Sequence, residues 1–174
     1  MGTYSSLYKA EVGLRPTLNI MYGGGDEKLG QTIGRSTKDA KAVRAKFEKS
    51  LPALKSLREA VSKAAERGYL IALDGRKTPV RAKHAALNTL LQGAGAIVSK
   101  NWILGIDRRY KAEGLDARIS LFVHDESDAI VITKDVERAI QIPSESLKEV
   151  EELLKMNVQL GCETKTGKTW YEIH

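Results

Sequence analysis

Only one cysteine, Cys162, occurs in the 174 residues, which excludes an internal disulfide and a zinc site built from cysteine ligands. A reducing intracellular setting is expected. Long apolar runs are also missing, because Gly, Lys or Asp interrupts each stretch, and the short polar N-terminus has no signal-peptide pattern; neither a membrane span nor a leader is expected. No internal repeat and no low-complexity tract is present. The glycines of Tyr22–Gly30 lack the spacing of a phosphate cradle, since no Gly-Lys-Ser/Thr follows them. What is present is 42% hydrophobic residues, enough for one domain or a sub-domain of something larger. The net charge of +6 favours a polyanionic partner, and nucleic acid fits it better than an acidic substrate surface.

Met1 to Asn19 show no clear period, and Gly13 and Pro16 would break a helix begun there, so an irregular lead-in is expected. Gly23, Gly24 and Gly25 then make a turn, with Asp26 placed to cap a short helix up to about Ile33. From Thr37 to about Arg67 apolar residues recur at three and four (Val43, Phe47, Leu51, Leu54, Leu57, Val61, Ala65), which predicts a helix with one buried stripe. Pro52 predicts a kink or a break in it. Its other face carries Lys38, Lys41, Arg44, Lys46, Lys49, Lys55, Arg58, Lys63 and Arg67, most of them readable simply as a solvated face.

Tyr69–Leu73 reads as a strand turning at Asp74-Gly75 into Arg76–Arg81. A second long helix is expected from about Lys83 to Glu113, stopped by Gly114. Two short apolar runs, Ile119–Val123 and Ala129–Ile132, flank His124-Asp125-Glu126 and predict a hairpin. Helical patterns follow across Lys134 to Met156, broken near Pro143, and then short strands near Asn157–Thr164 and Thr169–Ile173. The expected fold class is α+β, with long helices packed on a small antiparallel sheet.

Two features carry chemistry. Asp125 and Glu126 put adjacent carboxylates at a hairpin tip; such a pair is ordinarily turn chemistry, but Mg²⁺ takes only one or two carboxylates plus substrate phosphates, so one fixed Asp is half of a two-metal site. His84, Asn88 and Gln92 are spaced i, i+4, i+8 and share one face of the second helix. The Asn88 and Gln92 amides either cap and bridge within a helix bundle or donate to the purine N3 and pyrimidine O2 acceptors that every base pair offers in the minor groove.

Read together, Tyr22-Gly23-Gly24-Gly25-Asp26-Glu27-Lys28-Leu29-Gly30, then Leu73-Asp74-Gly75-Arg76 through His84-Ala85-Ala86-Leu87-Asn88 to Gln92-Gly93-Ala94-Gly95-Ala96, then Val123-His124-Asp125-Glu126 resemble the C-terminal fingers and palm of family A (polymerase I-like) DNA polymerases, especially the T7-like phage branch. The ending Trp170-Tyr171-Glu172-Ile173-His174 is similar to the C-terminus of that branch. The resemblance covers about Ile20 to His174 and implies a partial polymerase fold: a lead-in at 1–19, fingers-derived helices at 20–68 and a palm portion at 69–174. It implies that Asp125 ligates the catalytic Mg²⁺, that Glu126 supports this site and that His124 lies near the primer terminus. Asn88 and Gln92 would touch the primer-template duplex, with Arg76, His84, Tyr22 and Gly23 helping to bind the DNA. Deoxynucleoside triphosphates would be the substrates, and the setting cytoplasmic, that of the host if a phage carries the gene.

Parts of the family pattern are missing. The family's second metal-binding Asp, on a strand upstream of the fingers helix, has no counterpart before Tyr22. Counting back from Tyr22, Leu14 stands where the family has a Lys, Ala10 where it has an Arg, and Leu18 where it has an aromatic near the incoming base. The family's exonuclease domain and thumb would lie further upstream and are not expected within these residues. The resemblance therefore implies a C-terminal polymerase portion, inactive alone, completed by an N-terminal polymerase chain or left as a remnant. A non-catalytic basic module gripping duplex nucleic acid stays open beside it.

Overall fold

The computed structural model describes residues 17 and 19–173. The expectations for Ala10, Leu14 and Leu18, and for most of the lead-in, lie outside the described residues. Thr17 and Asn19 are already helical, so the irregular stretch ends earlier than expected. The chain forms two compact units with their boundary between Gln92 and Gly93, and each has its own core.

In the first unit a helix ends at Met21, followed by α1 (Asp26–Ile33), α2 (Thr37–Ser50) and α3 (Pro52–Ala65). The expected helix from Thr37 is two helices. Leu51 before the proline leaves helical backbone at φ −129, as the proline ring demands of its predecessor, while Pro52 itself opens α3, where a missing N–H costs nothing. Ser36 starts α2 by accepting the Asp39 backbone N–H at 3.1 Å. Ile20, Leu29 and Ala40 are buried together, with Ile33 and Phe47 packed on them. A second cluster joins Val61, Ala65, Leu70, Ala86 and Leu87. The predicted hairpin forms as β1 (Tyr69–Ile71) and β2 (Lys77–Pro79), paired Tyr69 to Pro79 and Ile71 to Lys77. Gly75 in its turn has φ +85, which a residue without Cβ adopts freely. The second long helix begins as a 3₁₀ turn, Lys83–Ala85, and continues as α4 (Ala86–Ala112), across the unit boundary.

In the second unit, β3 (Ala117–Val123) and β4 (Glu126–Val131) pair antiparallel, with an irregularity between Ile119 and Leu121. Two residues, His124 and Asp125, join them. A 3₁₀ turn leads into α5 (Val136–Ala139), then α6 (Ile142–Leu153). Pro143 lies in the first turn of α6, so the expected break is a helix start. Ile106, Tyr110, Ala139 and Ile142 form the core, and Trp102, Leu115, Ala117, Ile119 and Val131 pack on it. The base of the hairpin is thus held by the core while its tip stands clear.

Two expectations for the C-terminal stretch are corrected. Asn157–Thr164 is not a strand, and residues 170–173 form a short helix, α7 (Trp170–Ile173). A strand needs a ladder partner, and the Leu160 N–H donates instead to the Glu151 carboxylate at 2.5 Å. Short apolar runs do not by themselves separate helix from strand. The sheet is also divided: the described strands form two separate two-stranded hairpins.

Candidate functional site

The glycine turn has a defined job for each residue. The Gly24 N–H donates to the Asn19 carbonyl at 2.8 Å and the Gly23 N–H to the Ile20 carbonyl at 3.2 Å, a pair of bonds that closes a helix C-terminus when the stop residue is left-handed. Gly23 supplies that conformation at φ +75. Gly25, not Asp26, is the cap of α1. Asp26 instead binds Arg44, whose guanidinium also donates to the Gly24 carbonyl. Arg58 likewise reaches the Ile20 carbonyl and the Glu48 carboxylate. Arg44 and Arg58, read from sequence as part of a charged face, are therefore half-buried ties on the turn. Tyr22 beside it is exposed.

A methyl group added to Gly23 would stand 3.7 Å from the His84 carbonyl, so the first and second sequence blocks meet in space although sixty-one positions separate these two residues. His84 lies in the 3₁₀ turn ahead of α4, which corrects its expected place on the helix; the four-residue register holds only for Asn88 and Gln92. His84 and Gln92 are exposed and Asn88 is half-buried. The Asn88 Oδ1 is buried with no hydrogen-bond partner, a costly arrangement for a packed amide, on the order of 1–3 kcal/mol. Arg76 projects from the β1–β2 turn with its guanidinium on Asp74, and this hydrogen bond holds the Asp74 carboxyl below the usual range. Tyr69 nearby carries two cations on its ring, Arg67 at 5.0 Å and Lys77 at 4.9 Å.

In the second unit the hairpin tip is built by register. Val123 pairs with Glu126, leaving His124 and Asp125 as the whole turn. His124 has φ +57, and a non-glycine residue there carries strain of about 1–2 kcal/mol. His124, Asp125 and Glu126 are all exposed. Asp125 and Glu126 line one side of a cavity of about 710 Å³, whose other walls include Trp102, Tyr110, Cys162 and Lys165. Burial pushes the Tyr110 hydroxyl and the Cys162 thiol up, so Cys162 stays a thiol at neutral pH rather than a nucleophilic or metal-binding thiolate. Among the described residues no three His, Cys, Asp or Glu side chains gather as a metal site. Asp125 and Glu126 are the exposed carboxylates at the tip that could offer oxygens to a divalent ion, which accepts one or two carboxylates and takes its remaining oxygens from other groups and water.

The frame behind the tip escaped sequence reasoning. Arg109 of α4 binds Glu145 at 2.6 Å and also Glu149, both on α6, while Arg138 of α5 joins Glu113 at 2.6 Å to Glu145 at 2.7 Å. The bonds from Arg138 hold the Glu113 and Glu145 carboxyls below their ordinary values, and both acids raise Arg138 in turn. Trp102 Nε1 donates to the Pro143 carbonyl at 2.8 Å, and Ser146 Cβ would stand 3.3 Å from a methyl group on Gly105. Except for Arg138 and Glu145, seven positions apart, these partners lie 25 to 41 positions apart, which explains why no local pattern revealed them.

Within the first unit the glycine turn meets the histidine that precedes α4, and within the second an exposed acidic turn caps a hairpin whose base packs on Ile106 and Tyr110 of α4. The sequence profile described as DNA polymerase family A matches residues 17–172, and the chain belongs to that family. It is similar to the DNA-directed DNA polymerases of Enterobacteria phage T3 (33% identical) and Escherichia phage T7 (32%), each over 89% of this chain and 25% of the relative. DNA polymerase I of Bacillus caldotenax is 30% identical over 88% of this chain and 19% of its own length. Among solved structures, the POL domain of Pol1 from M. smegmatis, in complex with DNA primer-template and dNTP, matches with a TM-score of 0.71 at 25% identity, covering 77% of this chain and 26% of that one. The chain thus has a partial polymerase domain fold and spans about a quarter of the length of the phage relatives.

Proposed function

We propose that the chain is the C-terminal part of a DNA-directed DNA polymerase and extends a primer only together with the rest of the polymerising machinery. The observation that carries this reading is the exposed two-residue turn bearing Asp125, within a family match that runs through all the sequence blocks. Residues 20–68 would be fingers-derived and 69–174 the palm portion. The outer face of the β3–β4 hairpin supports incompleteness: Leu121, Val123 and Ile130 are 42%, 47% and 58% exposed, an apolar surface on a two-stranded sheet that a complete polymerase would cover.

In this reading Asp125 would hold Mg²⁺, with Glu126 beside it and the second carboxylate supplied from elsewhere. When bound, the ion lowers the pKa of the primer 3′-hydroxyl and offsets charge on the triphosphate. The primer 3′-hydroxyl gives its proton to water as its oxygen bonds to the α-phosphorus, the bond from that phosphorus to the bridging oxygen breaks, and pyrophosphate leaves. His124 sits at the primer terminus. Asn88 and Gln92 test the new base pair from the minor groove, where a degenerate pattern lets an enzyme check geometry without reading sequence. Arg76, His84, Tyr22 and Gly23 steady the duplex.

The test is primer extension with Mg²⁺ and four deoxynucleoside triphosphates. The purified chain alone should not extend. Mixed with a polypeptide carrying the remaining family A segments it should, and Asp125→Ala should abolish extension while leaving duplex binding intact. Extension unaffected by Asp125→Ala would overturn the reading; if basic-residue changes abolished binding at the same time, a non-catalytic binding module would replace it.

A further inference from the structure

We infer that one face of α2, formed by Lys38, Lys41, Lys46 and Lys49, is a track for the sugar-phosphate backbone of nucleic acid; this rests on the polymerase reading and adds a contact surface to it. Charge is divided unevenly along the chain. Residues up to Gln92 contain seventeen Lys and Arg against eight Asp and Glu, whereas residues from Gly93 on contain eleven against fourteen. The excess is not spread evenly within the first unit either. With 3.6 residues per turn, the four lysines of α2 fall within an arc of about 140°, opposite the buried Ala40 and Phe47.

The acidic residues of α2 lie outside this arc and are engaged elsewhere. Asp39 accepts a hydrogen bond from the Ser36 hydroxyl at 2.8 Å, and Glu48 accepts one from Arg58 at 2.8 Å. The four lysines are exposed and enter no ion pair among the described residues. Ala42 and Ala45, also exposed, are the side chains between them, so nothing bulky holds a backbone away. From Lys38 to Lys49 the helix rises roughly 16 Å, about the advance of five nucleotides along one strand of duplex.

The same face is poorly made for other partners. A protein interface draws its energy from buried aromatic or aliphatic anchors, and this arc offers none. A membrane-surface helix needs a broad free apolar face, and on α2 only Val43 is exposed there, Ala40 and Phe47 being packed on the core. A row of cations with small residues between them suits a chain of evenly spaced phosphates.

The experiment measures binding of a fluorescent 30-base-pair duplex and of an oligo-dT strand by anisotropy, over a range of NaCl concentrations, using the full chain. The variant carries Lys38→Gln, Lys41→Gln, Lys46→Gln and Lys49→Gln; these are exposed positions and glutamine is a comparable helix former. A control removes the same charge from the second unit through Lys100→Gln, Lys134→Gln, Lys148→Gln and Lys168→Gln, and a third protein carries arginine at the four α2 positions. Loss of four phosphate contacts should make the log–log salt slope shallower by about 3 to 4 on duplex and by about 3 on single strand. The control and the arginine variant should keep the wild-type slope. A glutamine variant with the wild-type slope would refute the track while leaving the polymerase reading standing, and so would a control that loses as much. If that variant instead lost binding of a polyglutamate peptide while keeping DNA, an acidic protein surface would be the partner. A wild-type chain that binds neither nucleic acid would overturn the track and the polymerase reading together.

Discussion

Replacing Ile142 with alanine should loosen the acidic hairpin although the two are never in direct sequence proximity. Ile142 is fully buried with Ile106, Tyr110 and Ala139, and this cluster receives Ala117, Ile119 and Val131 from the two hairpin strands. A two-stranded hairpin is at best marginally stable by itself, so β3 and β4 depend on that core. The substitution removes three carbon atoms, worth about 2.4 kcal/mol at roughly 0.8 kcal/mol each, and the incompletely collapsed space raises the cost to about 3–4 kcal/mol. Part of that loss reaches the hairpin as local opening. Three kcal/mol corresponds to roughly a hundred-fold change in an opening equilibrium. Hydrogen exchange of the amides that cross-link β3 and β4 should accelerate by up to that factor, alongside a lower urea midpoint. Unchanged exchange in residues 117–131, with the urea midpoint nonetheless lowered, would refute the claim that this core holds the tip.

Two further outcomes follow from the tip and its frame. His124→Gly relieves a positive φ of 57°; glycine also adds freedom to the unfolded chain, so a net gain of about 0.5–1 kcal/mol is expected, and a lower melting temperature would contradict it. Glu113 and Glu145 are held below their ordinary pKa by Arg138. Their contribution is complete above the unfolded glutamate value, near 4.3, and is lost as pH falls through their lower folded values. Urea midpoints should therefore decline below about pH 4.5, and Glu145→Gln should flatten that decline; an identical acid limb in the variant would show that these pairs add nothing.

Local rules carried much of the fold. Pro52 marks the expected break by ring geometry alone, Gly114 marks a stop, and the two apolar runs around Asp125 pair as a hairpin, whereas the three-four stripe through α2 and α3 is matched only in part: Val61 and Ala65 are buried, but Val43, Leu51 and Leu57 stay exposed because no described element of this unit packs on them. The hairpin tip was legible for the same reason: its turn residues and flanking apolar runs are adjacent in the chain. Local pattern failed where two conformations satisfy the same short run. Thr169–Ile173 has strand-like residues, yet it coils as a helix, with the Glu172 N–H donating to the Thr169 carbonyl. His84 also slipped from the expected face, because the first turn before α4 is wound more tightly than 3.6 residues.

The sequence by itself determined the family blocks, the helix and turn boundaries tied to Gly and Pro, and the exposed carboxylate at a hairpin tip, since each depends on neighbours a few residues away. Tertiary structure alone decided that Gly23 meets His84, that Arg44 and Arg58 tie down the glycine turn rather than face solvent, that Arg109 binds acids on α6, and that Arg138 binds Glu113 just beyond α4. Those are long-range choices among many chemically equivalent partners. Any arginine can pair with any glutamate, and only the packing of the helices selects which ones come within reach.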